Sequence, residues 1–484
     1  PGGVSNWTHE LIRAQRHLSF HLLTLVPPEA DLTPIYDVPN NVVSTSVVRL
    51  QRLPEGSFSN RKAQELLTQF EKPLLKLQSK GDLTDFIDLL SLIEPHKEKL
   101  GRGPLLNSRA AWDLLHRMYE ATLPQSPFLH YFWSWRTMHG SLYSVLLAEL
   151  PAARTYHAVS TGYAGLLGAR AHLETGRPML LTEHGIYTNE RRVELSMADW
   201  LFDHRSSRLS VDKPRHDLKS MWIDTFQSYS RACYAASSTI ITLYEGNTEF
   251  QLQDGAPREK ITIIPNGIDH EHYSKIERTK TAHPPTVALI GRVVPIKDVK
   301  MFIRTCAILK RIFPDLQAKI LGPTDEDQRY FRDCHAMANG LSLLDTISFV
   351  GRVNLTEHIA SIDVVLLTSI SEAQPLVILE VGAAGVPVVA TDVGACRELI
   401  LGNSRDTQSE GAGGAVTPLG DPTAMAHEVE RLLKDREWYE QCSRTIKARV
   451  LNNYDKHDLD ERYRYIYESA CSAPDSPSAL ERND

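Results

Sequence analysis

The sequence predicts an α/β protein of two domains, each built around a doubly wound parallel sheet. Short apolar strands alternate with helical segments in both halves of the chain, and polar loops follow the main strands. The length of 484 residues suits two to three domains at roughly 150 residues per domain. A mostly helical stretch, at about residues 49–150, interrupts the alternation in the first half.

The first half of the chain contributes the strands of the N-terminal domain. From short apolar, β-branched runs, strands are expected at residues 153–159, 179–182, 238–243 and 261–264. A helix at 166–175 follows a glycine-containing turn at 162–165. His184 comes directly after the second of these strands, where a side chain can hydrogen-bond a bound ligand, although a lone histidine can equally be structural.

The interrupting stretch has amphipathic spacing at residues 61–77, 82–92 and 107–121, which predicts helices. Aromatic side chains then cluster at residues 128–135. Two interpretations remain open for this cluster. It either packs the insertion on its own domain, or it forms a docking surface for a partner or part of a substrate path.

The second half of the chain predicts the C-terminal domain. Strands are expected at residues 286–290, 318–321, 346–350, 362–368 and 386–390, and helices at 299–312, from 328, and at 376–384. The polar stretch 270–285 follows a Pro-Asn-Gly turn and marks the boundary, so the domains are expected at 1–272 and 273–452. The polar residues 472–484 are expected to form a flexible tail.

Two carboxylates stand eight positions apart in the segment Ser371–Thr391. Glu372 is expected on the loop that leaves a buried strand, where open α/β sheets bind ligands. Glu380 is expected one turn into the next helix, which starts at Pro375 and Leu376 and whose free N–H groups favour an anion. This arrangement suits a polyol at each carboxylate with a diphosphate between them, as in a nucleotide sugar.

Arg292 and Lys297 share one strand-to-helix loop, where both can reach one anionic ligand or can simply be solvated cations. The acidic run Asp325–Asp327 offers a superficial metal-binding pattern. Because no strand leads directly into it, these residues are expected at a helix N-terminus, where the helix dipole favours acidic side chains.

Composition excludes several classes of protein. The net charge is −7 without a basic run, which argues against a nucleic-acid surface or a polybasic membrane patch. Six cysteines lie far apart without a C-x-x-C pair, as is typical of a reduced cytosolic protein. No apolar run reaches about 18 residues, so no direct membrane span is expected. The chain opens on Gly2 and Gly3, and we expect a native start before them.

The two-glutamate segment, the loop Gly291–Asp298 and the turn at 264–269 together resemble retaining glycosyltransferases of family 4. The resemblance implies the GT-B fold, with two Rossmann-like domains facing a central cleft and a helix at about 453–471 returning to the first domain. Asp298 and Ala373 stand where this family usually has glycine.

The family pattern also implies roles for individual residues. Arg292 and Lys297 would hold the donor's diphosphate, Glu380 the ribose and Glu372 the transferred sugar, while His184 would hydrogen-bond the sugar. The implied donor-binding set is completed by Gly2, Gly3, Arg352, Val353, Pro375 and Leu376. No metal or other cofactor is expected, because two cations and a helix N-terminus supply the positive field.

A narrower resemblance lies in residues 1–8, 182–191 and 291–298, which are similar to the PelF glycosyltransferases of bacterial Pel exopolysaccharide synthesis. It implies transfer of a hexose or N-acetylhexosamine from a UDP-sugar to a growing polysaccharide in the cytoplasm, with inner-membrane Pel-type synthase subunits as partners. UDP-GalNAc, UDP-GlcNAc and UDP-glucose remain open as donors. Two alternatives are a UDP-sugar epimerase on the same fold and a non-catalytic nucleotide-binding subunit.

Overall fold

A computed structural model describes residues 3–33, 36–197, 217–279, 283–403 and 411–478. The strands are β1 (Phe20–Val26), β2 (Val42–Arg49), β3 (Tyr156–Ala158), β4 (Met179–Glu183), β5 (Thr239–Thr242), β6 (Ile261–Ile263), β7 (Thr286–Ile290), β8 (Gln317–Leu321), β9 (Ile347–Gly351), β10 (Val364–Leu367), β11 (Val388–Thr391) and β12 (Gly414–Thr417). Gly2 and the end of the expected tail, 479–484, lie outside the described residues.

The helices are α1 (Gly3–Ala14), α2 (Asn60–Leu77), α3 (Leu83–Ile93), α4 (Arg109–Thr122), α5 (Phe128–Leu147), α6 (Gly162–Thr175), α7 (Tyr187–Met197), α8 (Leu218–Ala236), α9 (Glu245–Gln253), α10 (His270–Ser274), α11 (Val299–Ile312), α12 (Gln328–Gly340), α13 (Thr356–Ile359), α14 (Leu376–Ala383), α15 (Cys396–Leu401), α16 (Pro422–Lys434), α17 (Arg436–Asn453) and α18 (Lys456–Ser472). Within the described ranges, none of these helices combines the length and the hydropathy needed to cross a bilayer.

The chain forms two compact units, and each is a set of segments. The first unit contains the chain up to Thr242, Thr248–Thr262 and the chain from Tyr463; the second contains Leu243–Asn247 and Ile263–Arg462. Helix α10 belongs to the second unit, so the expected boundary between residues 272 and 273 falls inside this helix.

The second unit is built on a six-stranded sheet of order β12-β11-β10-β7-β8-β9, parallel at each neighbouring pair. Strands β10 and β11 are buried along their whole length, because helices cover both faces of the sheet. Such strands read as continuous apolar runs. The strand expected at 286–290 and the helix expected at 299–312 have the predicted bounds.

The first unit contains a four-stranded sheet of order β3-β4-β5-β6 and a separate parallel pair, β1 and β2. Strand β3 is shorter than the expected 153–159, since its pairing starts at Tyr156 opposite Met179, the first residue of β4. Helix α6 starts four residues earlier than expected, at Gly162, where a positive φ of 65° turns the chain. The parallel α/β class predicted from the sequence is confirmed for both units.

Helices α2–α5 account for most of the interrupting stretch. Each of α2, α3 and α4 begins at a polar residue that caps it, namely Ser59, Asp82 and Ser108. In the aromatic run, Tyr131 and Trp135 are buried, whereas Leu129 and Trp133 are 61% and 59% exposed. The run therefore divides between the interior and the surface.

A cavity of about 240 Å³ lies beside this run, lined by Leu106, Asn107, Ser108, Ala111, Trp112, Leu115, Phe132, Trp135 and Arg136. The Arg136 guanidinium is held at its rim by the Leu106 carbonyl, 2.7 Å away, and by Asn107 Oδ1, 3.0 Å away. The cavity thus has aromatic walls, and the arginine at its rim is already hydrogen-bonded.

The C-terminal segment is attached to the first unit. Ser476 N donates to the Gly176 carbonyl (3.0 Å), and Ser478 Oγ donates to the Leu173 carbonyl (3.1 Å). Gly176 has a φ of 70°, and a Cβ there would lie 1.7 Å from the Ser476 carbonyl oxygen. In the described part of the expected tail, 472–478, Ser472 ends α18, and Ser476 and Ser478 hydrogen-bond to the end of α6.

One fully buried cation connects two helices of this unit. Arg170 on α6 donates from Nη1 to the Val145 and Ala148 carbonyls at the end of α5, 2.6 and 2.8 Å away, and from Nε to Glu174 at 2.5 Å. Its charge is compensated inside the fold, and the last carbonyls of α5 gain a donor.

We expect Arg170→Met to destabilise the protein by about 3–5 kcal/mol, because it leaves a partly buried carboxylate and two helix-end carbonyls without their main donor. Chemical denaturation followed by circular dichroism measures the loss. The control is Arg61→Met, which breaks an exposed ion pair with Glu65 and should cost about 1 kcal/mol or less. Equal effects of the two substitutions would contradict the assigned role of Arg170.

A buried histidine makes the same unit sensitive to acid. His139 packs on Trp135, with ring centroids 4.4 Å apart, and its Nδ1 lies 2.8 Å from the Trp135 carbonyl oxygen. Burial lowers the pKa of His139 to about 4, since the charged form cannot be hydrated.

A depressed histidine pKa means that the unfolded chain binds a proton more readily than the folded one. Stability should therefore fall as the pH drops from about 6.5 towards 4, by on the order of 3 kcal/mol from this group. Unfolding free energies at pH 7 and pH 5 give the slope. The slope should be shallower in His139→Gln, whatever the absolute stability of that variant, and an unchanged slope would contradict this origin.

Candidate functional site

The strand order of the second unit changes direction between β7 and β10. The chain leaves β7 towards β8 on one side, whereas β10, its other neighbour, leads on to β11. In open α/β sheets, ligands bind outside the carboxyl ends of the strands at such a point. The two loops that start there are 291–298 after β7 and 368–375 after β10, and they carry the cations and the first carboxylate predicted from the sequence.

Main-chain contacts fix the loop after β7. Gly291 N donates to the Leu321 carbonyl (2.8 Å), and Val293 N donates to the Pro323 carbonyl (2.9 Å). A Cβ at Gly322 would lie 2.0 Å from the Gly291 carbonyl oxygen, so only glycine allows this approach. The ends of β7 and β8 therefore form one rigid edge.

Asp298 closes this loop in a left-handed conformation, with φ of 40° and ψ of 56°. Its side chain accepts a hydrogen bond from Met301 N at 3.1 Å and thereby caps α11. Aspartate is one of the few residues other than glycine that adopt this region. The turn at which the resemblance leads us to expect glycine is thus made here by a residue that also starts the helix.

Lys297 and Glu372 meet where the two loops come together. Lys297 Nζ donates to Glu372 Oε1, and Ser369 Oγ donates to the same oxygen at 2.6 Å. The side chains of Lys297 and Glu372 are only 20% and 14% exposed, respectively. Thr368 Oγ1 donates to the Lys297 carbonyl at 2.7 Å. The structure therefore brings together a predicted phosphate-binding cation and the carboxylate predicted to bind the sugar.

The main chain around Glu372 is held from a third loop. Ala395 N donates to the Ala373 carbonyl at 2.8 Å. A Cβ at Gly394, whose φ is 53°, would lie 2.1 Å from the Glu372 carbonyl oxygen. This glycine is required for the close approach. Ala373 fits in place of the usual glycine because its own backbone is not in the positive-φ region.

Arg292 has a different partner. Its exposed guanidinium lies 2.9 Å from Glu326 Oε2 on the loop after β8. The neighbouring Asp327 accepts from Tyr330 N at 2.9 Å and caps α12. In the acidic run 325–327, therefore, Asp327 caps a helix, as expected, and Glu326 neutralises a predicted site cation.

Glu380 lies in α14, the helix that begins at Leu376 after Pro375. Tyr273 on α10 donates its hydroxyl to Glu380 Oε1 at 3.3 Å. Burial raises the pKa of Glu380, and the bond from Tyr273 opposes this rise in part. The carboxylate is thus half-buried, about one turn into the eight-residue helix.

Arg352, another predicted site residue of this unit, is exposed. It follows Gly351, whose φ is 82°. Val353 is partly buried and packs against the apolar cluster behind β10 and α14. Of this pair, Val353 contributes to the core, and Arg352 points to solvent.

His184 belongs to the first unit. Its ring meets Trp7 edge-on, with centroids 4.4 Å apart, and burial lowers the pKa of His184 to about 4. The preceding Glu183 is fully buried and accepts from Thr161 Oγ1 (3.0 Å), Tyr234 OH (2.7 Å) and Gln251 Nε2 (2.9 Å). Desolvation raises the pKa of Glu183. Gly3, also a predicted donor residue, begins α1 in this unit.

Sequence reasoning missed four residues that shape the site of the second unit: Tyr273, Glu326, Ser369 and Gln374, the last of which hydrogen-bonds both main-chain groups of Asn266. Ser369 and Gln374 flank the predicted glutamate and could have been noticed as hydrogen-bonding side chains within that motif. Tyr273 and Glu326 lie 107 and 34 positions from their partners, and no local pattern connects them.

Each half of the chain matches a known family model. Residues 1–259 match the family model described as a domain of unknown function (DUF3492), and residues 284–435 match the one described as glycosyl transferases group 1. The chain is 26% identical over 216 residues to N-acetyl-alpha-D-glucosaminyl L-malate synthase of Bacillus anthracis, covering 44% of this chain and 54% of that protein. It is 28% identical over 218 residues to the lipopolysaccharide core biosynthesis mannosyltransferase LpsB of Rhizobium meliloti, covering 43% and 60%.

The chain thus spans about half the length of the curated relatives it matches. Among solved structures, a sucrose-phosphate synthase from Thermosynechococcus elongatus superposes with a TM-score of 0.57 at 16% identity, over 98% of this chain and 94% of that one. Anabaena HepE in complex with UDP superposes with a TM-score of 0.51 at 18% identity, over 79% and 95%. These likenesses establish the GT-B fold. Because the first family model covers more than half of the residues, the chain belongs to the DUF3492 family, and residues 284–435 of its second half are similar to group 1 glycosyl transferases.

Proposed function

We propose that the chain is a retaining glycosyltransferase that moves a hexose or an N-acetylhexosamine from a UDP-sugar to a growing polysaccharide. The observation that carries the proposal is the contact of Lys297 with Glu372 at the carboxyl ends of β7 and β10, with Glu380 in the helix that follows. A cation, a carboxylate for hydroxyl groups and a helix N-terminus then lie along one path, as a nucleotide sugar requires.

The diphosphate would be held by Lys297 and Arg292. Each cation now has a carboxylate partner, Glu372 and Glu326 respectively, so the diphosphate would compete with these carboxylates. The Arg292 pair is about half exposed, and such pairs contribute about 1 kcal/mol or less, so exchanging Glu326 for phosphate oxygens costs little. A charge-assisted bond to phosphate is stronger than the pair it replaces.

The ribose would be held by Glu380. An ionised carboxylate can accept hydrogen bonds from two adjacent hydroxyls, and the ribose diol offers two. The pKa of Glu380 is raised by burial, and donors aimed at its charged form would lower it again. Tyr273, which already donates to this carboxylate, would fix its orientation.

Glu372 would bind the transferred sugar close to the reacting carbon. In the transfer, the bond between the anomeric carbon and the phosphate oxygen breaks, and UDP leaves with the electron pair. An acceptor hydroxyl forms the new bond on the same face and passes its proton to the oxygen of the leaving diphosphate. Lys297 and Arg292 would stabilise the charge that develops on the leaving diphosphate, and we propose that no metal is needed for this.

The polymer and the partners are proposed from the resemblance of residues 1–8, 182–191 and 291–298. On this basis the acceptor is a Pel-type exopolysaccharide bound in part near His184, and the enzyme works in the cytoplasm with inner-membrane synthase subunits. HepE, whose fold the chain shares, was solved with UDP, the nucleoside diphosphate that we propose here. UDP-GalNAc, UDP-GlcNAc and UDP-glucose are the donors to compare.

The decisive experiment follows UDP release from these three donors, with and without an oligosaccharide acceptor. Release that depends on the acceptor supports the transferase. Interconversion of UDP-sugars without UDP release would instead show an epimerase. Calorimetric binding of UDP with neither reaction, even when synthase partners are added, would indicate a non-catalytic subunit and overturn the proposal.

Arg292→Ala and Lys297→Ala should each weaken UDP binding about ten- to a hundredfold, because each removes a charge-assisted contact worth roughly 1.5–3 kcal/mol. Isothermal titration with UDP measures this. Arg304→Ala, which removes an exposed cation on α11, serves as the control and should bind UDP like the parent. Parental affinity in both site variants would show that the diphosphate binds elsewhere.

The two glutamates should separate affinity from turnover. Glu380→Gln should raise the Kd for UDP and the KM, since the ribose is far from the reacting bond. Glu372→Gln should lower kcat while the Kd for UDP alone stays within about threefold of the parent, because the amide oxygen can still accept from Ser369 and Lys297. The reverse pattern, with UDP binding lost only in Glu372→Gln, would exchange the two assignments.

A further inference from the structure

Gln374 connects the loop of the first site glutamate to a second segment of the same unit. Its side chain is 7% exposed. Asn266 N donates to Gln374 Oε1 at 2.7 Å, and Gln374 Nε2 donates to the Asn266 carbonyl at 3.3 Å. One amide side chain therefore satisfies both main-chain groups of a single residue 108 positions away.

The segment around Asn266, to which Gln374 is hydrogen-bonded, is itself held by main-chain contacts. Two residues beyond Asn266, Ile268 N donates to the Tyr454 carbonyl (3.0 Å), and Ile268 accepts from Lys456 N (2.9 Å). A Cβ at Gly267 would lie 2.8 Å from Lys456 Cα, so the turn is packed against the start of α18 without spare space. Gln374 thus ties the loop to a fixed point.

Gln374 lies between the two parts of the site in the sequence, so its hydrogen bonds to Asn266 affect both. It lies two residues after Glu372 and two residues before the first residue of α14. Ser369 and Lys297 hold the Glu372 carboxylate, and the Ala395–Ala373 hydrogen bond holds its main chain from the side of β11. The Gln374–Asn266 pair holds the opposite end of the loop, just where the helix with the free N–H groups begins.

We propose that Gln374 is a positioning residue, which fixes Glu372 and the N-terminus of α14 relative to each other through its paired hydrogen bonds to Asn266. The inference rests on the proposed function, because it assigns the fixed groups to the transferred sugar and the diphosphate. The glutamine amide provides both a donor and an acceptor, as the pairing with both main-chain groups of Asn266 requires. Small errors in the placement of such groups lower turnover more than they lower ground-state binding.

The test uses Gln374→Met, which keeps the length of the side chain and removes both hydrogen bonds. Gln374→Met should lower kcat by about tenfold or more, and by a clearly larger factor than it raises the Kd for UDP, since Arg292 and Lys297 remain to hold the diphosphate. Gln317→Met, at an exposed position at the opposite end of the sheet, is the control and should retain parental kcat.

Amide exchange provides a readout that does not need activity. In Gln374→Met, the Asn266 amide should exchange at least about tenfold faster than in the parent, as followed by mass spectrometry on the peptide around residue 266. Parental exchange, or parental kcat in a folded Gln374→Met protein, would overturn the proposal. Equal losses in kcat and in UDP affinity would also overturn it, since they indicate general damage. A parent protein without transfer from any UDP-sugar would instead refute the proposed function and leave the exchange test intact.

Discussion

The site of the second unit depends on one ion pair that joins two loops. Lys297 and Glu372 are both largely removed from water, and a charge in such surroundings is stable only with a partner. The change of strand order places their loops side by side, and the opposite charges hold the loops together. Ser369 donates a second hydrogen bond to Glu372 Oε1, and Thr368 donates to the Lys297 carbonyl. The position of α14, and with it Glu380, follows from this junction.

Around this junction, close main-chain contacts at glycines and side-chain hydrogen bonds hold the loops in place. Gly322 and Gly394 allow neighbouring main chains to approach closely. Gln374 hydrogen-bonds both the N–H and the carbonyl group of Asn266. The result is a set of loops with little freedom, presenting charged groups on a rigid edge. Such an arrangement lowers the cost of organising those groups when a ligand arrives.

Much of the second unit could be predicted because its strands are buried on both faces. Runs such as Thr286–Ile290 are continuously apolar, and Pro375 and Gly385 bracket a helix that can start and stop only there. The pair β1 and β2 was missed because its strands are partly exposed. In that pair His21 bonds the Ser44 and Ser46 hydroxyls, and polar residues on both strands obscure the apolar pattern.

The candidate site could be predicted only in part, for a related reason. Motif residues that sit at strand ends, such as Glu372 and Lys297, can be found from local order. Their partners from distant segments, such as Tyr273 and Glu326, become neighbours only through the fold. The roles of all these residues in binding a donor remain predictions.

The pairing of both site cations has a consequence for how an anion would approach. Arg292 is matched by Glu326 and Lys297 by Glu372, so both cations of these loops are neutralised by a neighbouring carboxylate. The chain as a whole carries −7. Long-range electrostatic attraction of an anionic molecule is therefore weak, and its rate of association would depend little on ionic strength. The protein would discriminate between anionic ligands at short range. Only a ligand that replaces both Glu326 and Glu372 can bind Arg292 and Lys297 together.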